Sequence, residues 1–182
     1  MEIALWFTGG GTEYDVFAIC RQKASTYYEI QPPANQSAIR ALVGMVLQNP
    51  DNQFVATVVE DEVAFGAENL GVPATKLRRQ VDQALADTEL VDVRYANPHN
   101  LSAGNKSRLA IAGILAMAPR CLILDESTAL LDPVSRMSLL KLLHRLHDSG
   151  LMVVIITHYM DEVVDADRMI VLDKGRLALQ GT

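Results

Sequence analysis

Residues 121–132 read CLILDESTALLD: Cys121, Leu122, Ile123 and Leu124 are apolar in succession, Asp125 and Glu126 follow, and Asp132 closes the run. Four consecutive apolar side chains suit a strand buried on both faces of a parallel sheet, and ligands of such sheets bind beyond the C-terminal ends of the strands. Asp125 is thereby placed to hold Mg²⁺ and Glu126 to activate a water, the metal and water end of a nucleotide triphosphatase site. Phosphoryl transfer asks for positioning and electrostatics more than for covalent help, so this pair supplies much of what it needs. Taken alone, either acid serves equally well as a cap of the next helix.

Downstream of this run the pattern alternates. Pro133 to Asp148 has helical spacing, Leu151 to Thr157 is a second apolar strand, Met160 to Ala166 reads as a short helix and Arg168 to Asp173 as a strand. Such alternation predicts a parallel sheet covered by helices. Lys174 and Gly175 make a tight turn into Arg176 to Leu179, an antiparallel edge. Upstream, Leu101 and Ser102 precede a helix running to Met117 that is apolar on nearly every side and is therefore buried. Val58 to Leu70 and Thr75 to Leu90 are two further helices, the second with Leu77, Val81, Ala84 and Leu85 on one face. Ala41 to Leu47 reads as a buried strand ending at Gln48, and QNPDNQF (Gln48 to Phe54) is loop chemistry. Ile3 to Phe7 and Tyr14 to Ile19 read as a hairpin joined across Gly9, Gly10 and Gly11.

At 182 residues the chain supports one sizeable core. Lys and Arg total 16 against 22 Asp and Glu, a net charge of −6 that disfavours an extended nucleic-acid footprint. The longest apolar stretch, Leu109 to Ala118, is too short to cross a bilayer, and a soluble, intracellular protein is expected. Cys20 and Cys121 read as reduced thiols.

Several polar residues end apolar runs as Asp125 does. His158 follows Thr157, where an imidazole can donate to a γ-phosphate or hold the attacking water, or act as a plain hydrogen-bonding residue. Gln48 ends its own strand, where an amide reaches metal or water. Ser102 and Gly104 open a helix whose free N–H groups and dipole grip a phosphate, although an N-cap serine explains Ser102 as well. His144 and His147 are read as surface residues and His99 as a loop residue.

The order Gln48, Ser102 and Gly104, Asp125 and Glu126, Asp132, His158 resembles the ATP-binding subunits of ABC transporters. More narrowly, VGMVLQNPDNQ (Val43 to Gln53), VEDEVAFGAENLGVP (Val59 to Pro73) and AIAGILAMAPRCLILDES (Ala110 to Ser127) resemble the ATPases of energy-coupling-factor importers, which take up cobalt, nickel or vitamins. The resemblance implies an α/β, P-loop NTPase-like parallel sheet covered by helices. It assigns residues 41–54 and 119–182 to the catalytic core, 55–118 to an inserted helical subdomain carrying the signature loop, and leaves 1–40 unmatched. Gln48 becomes the Q-loop glutamine and a metal ligand, LSAGN (Leu101 to Asn105) the signature loop with nucleotide contacts from Ser102 and Gly104, and Asp125 the Walker B metal ligand. Glu126 becomes the catalytic base, Asp132 a D-loop nucleotide contact and His158 the switch histidine.

The implied cofactors are ATP and Mg²⁺. The implied partners are a second ABC ATPase subunit, identical or related, and a transmembrane coupling subunit, with no nucleic acid; the implied location is the cytoplasmic face of the membrane. The phosphate-binding loop GxxxxGK(S/T) is absent, since no lysine directly follows a glycine. The expectation is therefore a chain truncated at its N-terminus, whose own half-site binds ATP poorly. The alternative function is a non-catalytic module docking on a full ATPase or a membrane partner.

Overall fold

Alternate side chains of the Cys121–Asp125 strand bury on opposite faces: Leu122 and Leu124 enter one apolar cluster, Cys121 and Ile123 another. That strand is the middle of a three-stranded parallel unit inside a larger sheet. The computed structural model describes residues 15–19, 41–173 and 176–181. Its strands are β1 (Asp15–Ile19), β2 (Val43–Val46), β3 (Cys121–Asp125), β4 (Met152–Thr157), β5 (Met169–Asp173) and β6 (Arg176–Gly181). They lie in the order β2-β3-β4-β1-β5-β6. The pairs β2–β3 and β3–β4 are parallel, and β6 is an antiparallel edge strand on β5.

The sheet is not parallel throughout. Strand β1 pairs antiparallel with both β4 and β5, so β4 and β5 share a direction across a reversed strand. The Tyr14 to Ile19 expectation holds as a strand from Asp15, but its partners are the last two parallel strands of the core. Ile3 to Phe7, its expected hairpin partner, lies outside the described residues, as do Cys20 and the Lys174–Gly175 turn. A short apolar strand carries no local signal for which distant strands it will join, which is why this pairing was not readable from the sequence.

Among the described residues the long helices are α1 (Val59–Asn69), α2 (Ala74–Asp87), α3 (Ala103–Leu115) and α4 (Pro133–Asp148). Helix α3 is shared between two cores, which explains its apolar circumference. Ile111 and Ile114 pack with β2, β3 and α4 residues such as Val46, Leu124 and Leu142, whereas Leu109 and Ala112 pack with Val63 of α1 and Leu85 of α2. Burying each such leucine contributes about 1.5–3 kcal/mol, so α3 binds the sheet and the helical region as one apolar bolt. Gly44 makes the approach possible: a Cβ there would lie 2.0 Å from Ile114 Cγ2.

Helix α2 ends earlier than its apolar spacing predicts. The Thr88 hydroxyl donates to Ala84 O at 2.7 Å and Glu89 takes a left-handed φ of 61°. With no glycine marking that turn, the stop was silent in the sequence. Arg108, buried in α3, donates to Thr88 O at 2.8 Å and to Ser138 Oγ at 2.7 Å, tying the end of α2 to α4. The expected helix from Met160 to Ala166 is a single 3-10 turn, Met160–Glu162. A segment this short, carrying consecutive β-branched Val163 and Val164, does not repay helix nucleation.

Candidate functional site

Because β2, β3 and β4 are neighbours in register (Val46 beside Leu124, Asp125 beside Ile156), the residues leaving their C-terminal ends share one edge. Three side chains meet there. Gln48 Nε2 donates to Glu126 Oε2 at 3.0 Å, and His158 Nδ1 stands 3.9 Å from Glu126 Oε1. Glu126 is brought between them by its backbone, which turns into the left-handed region at φ 46°. A side chain there costs about 1–2 kcal/mol, and the turn is held by Glu126 N donating to Ile156 O at 3.0 Å and Ala129 N donating to Glu126 O at 3.0 Å. Asp125 ends β3, half-buried, and among the described residues its carboxylate makes no hydrogen bond or ion pair.

The loop carrying Gln48 is fixed by Asn49, Asp51, Gln53 and Glu62, whose partners carry no distinctive signal in the sequence. Gln53 closes it as an amide clip, accepting from Leu47 N at 3.0 Å and donating to Met45 O at 3.2 Å. Asn49 caps the 3-10 turn Pro50–Gln53, the arrangement an Asn-Pro pair favours. Asp51 then meets Lys106 of α3 at 2.8 Å, with the His99 ring 3.6 Å away. The Lys106 hydrogen bond holds the Asp51 carboxyl below its usual range. Glu62 of α1 accepts from Val55 N and Ala56 N at 2.8 and 2.7 Å, fixing the exit of the loop.

Ser102, Gly104 and Asp132 form a separate group at the N-termini of α3 and α4. Ser102 Oγ accepts from Asn105 N at 3.3 Å, an N-cap. Asp132 caps α4, accepting from Val134 N and Ser135 N at 3.0 Å and from the Ser135 hydroxyl, which holds its carboxyl below the usual range. A Cβ on Gly104 would lie 3.2 Å from Ser135 Cβ and Oγ, so the two helix starts are in contact. Among the described residues no hydrogen bond or ion pair joins this group to Gln48, Glu126 or His158.

Oxygen donors at the Glu126 edge suit magnesium, which takes one or two carboxylates and fills its remaining positions with water and substrate phosphates. Among the described residues no cluster of three or more His, Cys, Asp or Glu is arranged to hold a resident metal ion. Strand β1 has Val16 beside Thr157 and Ile19 beside Val154, so the chain leaves β1 at the edge opposite Glu126 and His158.

Among the other residues read from the sequence, His144 and His99 are exposed, but His147 is half-buried with Nε2 3.4 Å from Asp167. Cys121 is a free, buried thiol whose pKa is pushed up to about 11 by burial. Among the described residues no helix is long and apolar enough to cross a membrane.

Residues 19–129, more than half of the chain, match the family described as ABC transporter. Among curated relatives, the chain is 50% identical over 145 residues to the energy-coupling factor transporter ATP-binding protein EcfA1 of Caldanaerobacter subterraneus subsp. tengcongensis, covering 79% of this chain and 52% of the relative. It is 53% identical over 150 residues to EcfA1 of Symbiobacterium thermophilum, covering 82% and 52%. The chain thus spans about half the length of the curated relatives it matches. Among solved structures, CbiO1 from Clostridium perfringens, described as part of the ABC transporter complex CbiONQ, superposes with a TM-score of 0.73 at 41% identity, over 78% of this chain and 57% of that one. The ATP-binding cassette MJ0796, solved as a dimer with ADP and phosphate, shares the fold at TM-score 0.70 and 23% identity, over 85% and 68%. By the family match, the repeated half-identity to energy-coupling-factor ATPases and the shared fold, the chain belongs to the ABC transporter family.

Proposed function

We propose that this chain is an ATP-binding and ATP-hydrolysing subunit of an importer of the energy-coupling-factor class, working with a second ATPase subunit and a transmembrane coupling subunit at the cytoplasmic face of the membrane. The observation that carries this reading is the convergence of Gln48, Glu126 and His158 from three adjacent strand ends. Bound Mg²⁺–ATP supplies the γ-phosphorus to be attacked. Glu126 would take a proton from an ordered water as the water oxygen bonds to the γ-phosphorus and the bond to the β–γ bridging oxygen breaks, leaving ADP and inorganic phosphate; Gln48 would orient that carboxylate through its amide, and His158 would donate to a γ-phosphate oxygen. Asp125, with no other bond among the described residues, would hold Mg²⁺ together with the Gln48 amide oxygen. Ser102, Gly104 and Asp132 serve the nucleotide of the opposite subunit, which agrees with their separation from the Glu126 edge.

Residues 55–118 act as the helical subdomain, an assignment supported by their own apolar cluster around Val63, Leu85 and Leu109. Leu47, Val55, Phe65 and Leu70 are large apolar side chains left exposed beside the Gln48 loop and α1, and they receive the membrane partner. The cargo is a metal ion or a vitamin, as the class implies. Net charge −6 argues against a nucleic-acid partner.

The test is Glu126→Gln in the assembled transporter: turnover falls by about 10²–10⁴-fold while nucleotide stays bound, and unchanged turnover removes Glu126 as the base. A second reading, a module that docks without hydrolysing, is favoured by the absence of GxxxxGK(S/T) from these 182 residues. Equilibrium binding of Mg²⁺–ATP to the isolated chain separates the two. Micromolar affinity defeats the docking module, and no detectable binding supports it.

A further inference from the structure

His158 stands too far from Glu126 for a hydrogen bond, at 3.9 Å, so the carboxylate alone does not fix the plane of the imidazole. The next residue supplies what is missing. The Tyr159 ring lies against His158 with centroids 4.3 Å apart and planes tilted by 36°, while Tyr159 N donates to Thr157 Oγ1 at 3.0 Å and pins the backbone at the end of β4. Over the same tyrosine ring lies Arg136 of α4, its guanidinium carbon 3.9 Å from the ring centroid. Planar guanidinium on an aromatic face is a favourable, geometrically specific contact.

Arg136 is itself held in place. Its Nη2 donates to Leu131 O at 3.5 Å, and its Nε is 3.6 Å from Glu162 Oε1. The Glu162 side chain is fully buried, and neither carboxylate oxygen has a hydrogen bond. A buried carboxylate without hydrogen bonds depends on its counter-charge, so moving Arg136 away would strand it. The guanidinium is therefore fixed at the crossing of the Leu131 carbonyl, the Glu162 carboxylate and the Tyr159 ring.

The geometry points to Tyr159 as a positioning residue for His158, clamped by Arg136, so that the orientation of the imidazole is set from the first turn of α4. This goes beyond the proposed hydrolysis and rests on it only for the role of His158. The chain of contacts runs from Asp132 and Leu131 at the start of α4 through Arg136 and Tyr159 to His158. An aromatic ring is what position 159 requires; its hydroxyl is not used by the stack.

The experiment has two arms. In the first, imidazole C–H resonances of histidine-labelled chain are followed by NMR, with His158→Ala assigning the signal. Arg136→Lys keeps the charge beside Glu162 and leaves Tyr159 in place, yet should release the ring-current shift of His158 toward its value in Tyr159→Leu, while Tyr159→Phe preserves it. A His158 signal unmoved by Arg136→Lys overturns the clamp, and this variant decides the matter if Tyr159→Leu does not fold. In the second arm, Tyr159→Leu in the assembled transporter should lower kcat by about tenfold or more with KM nearly unchanged, and Tyr159→Phe should restore it. Unchanged kcat in Tyr159→Leu overturns the positioning role. If His158→Ala alone leaves kcat unchanged, the hydrolytic reading fails instead, and the NMR arm still decides whether Tyr159 and Arg136 orient the ring.

Discussion

At the Glu126 edge, side chains from three strands converge on one carboxylate held on a left-handed backbone, whereas at the junction of α3 and α4 the polar side chains turn back onto their own helices. Ser102 and Asp132 spend their oxygens on N–H groups that would otherwise be orphaned, so they contribute to folding whatever else they do. Glu126 has the opposite economy: its conformation costs stability, and its contacts are with residues 78 and 32 positions away in sequence (Gln48 and His158). A residue that loosens the fold in order to meet distant partners marks chemistry more surely than one that caps the helix it begins.

Substitutions sharpen this contrast. The largest effects are expected on turnover: Gln48→Ala should lower ATP hydrolysis by the assembled transporter by about 10²-fold while leaving the urea midpoint of the chain nearly unchanged. An equal loss in folding stability would make Gln48 a structural residue and erase the distinction. At the junction the sign is reversed. Ser102→Ala should cost about 1 kcal/mol of stability, seen as a lower Tm, because Asn105 N loses its acceptor.

Glu126→Gly should move stability the other way, raising it by up to about 1 kcal/mol because glycine takes φ 46° without strain, even as turnover is lost. A clear drop in Tm for this variant would mean that the Glu126 contacts stabilise the fold. The smallest effect belongs to the latch between the two regions. A double-mutant cycle on Asp51 and Lys106 should give about 0.2–1 kcal/mol, the range of partly exposed pairs.

That latch also predicts an acid response. Asp51 is held below its usual pKa by the Lys106 hydrogen bond, Glu60 by Arg94 and Glu89 by Arg108. Groups with depressed folded values add stability that is complete above the ordinary carboxylate range, near about 4, and is lost as pH falls through the lower folded values. The urea midpoint should therefore hold from neutral pH down to that range and fall below it. Lys106→Met should make the fall shallower.

Local signals located most of the elements. The helical spacing of Pro133 to Asp148 located both ends of α4. The apolar circumference of α3 gave its burial, though not that it lies between two cores, and the apolar runs gave β3 and β4. That Gln48, Glu126 and His158 each end such a run was equally visible. What stayed hidden depends on pairings between distant residues or on backbone without a residue signature. The insertion of β1 between β4 and β5, the left-handed turns at Glu89 and Glu126, and the Gln53 clip are of this kind. The Arg136–Tyr159 stack joins residues 23 positions apart, and nothing in either segment names the other.

The direct measurement is steady-state Mg²⁺–ATP turnover in the assembled transporter carrying Glu126→Gln, His158→Ala, or both. If the two side chains work as one unit on one water and one phosphate, each single change lowers turnover by about 10²-fold or more and the double change is no worse than the worse single. Losses that multiply, or a single variant with unchanged turnover, would show that the residues meeting at this edge do not form one hydrolytic site.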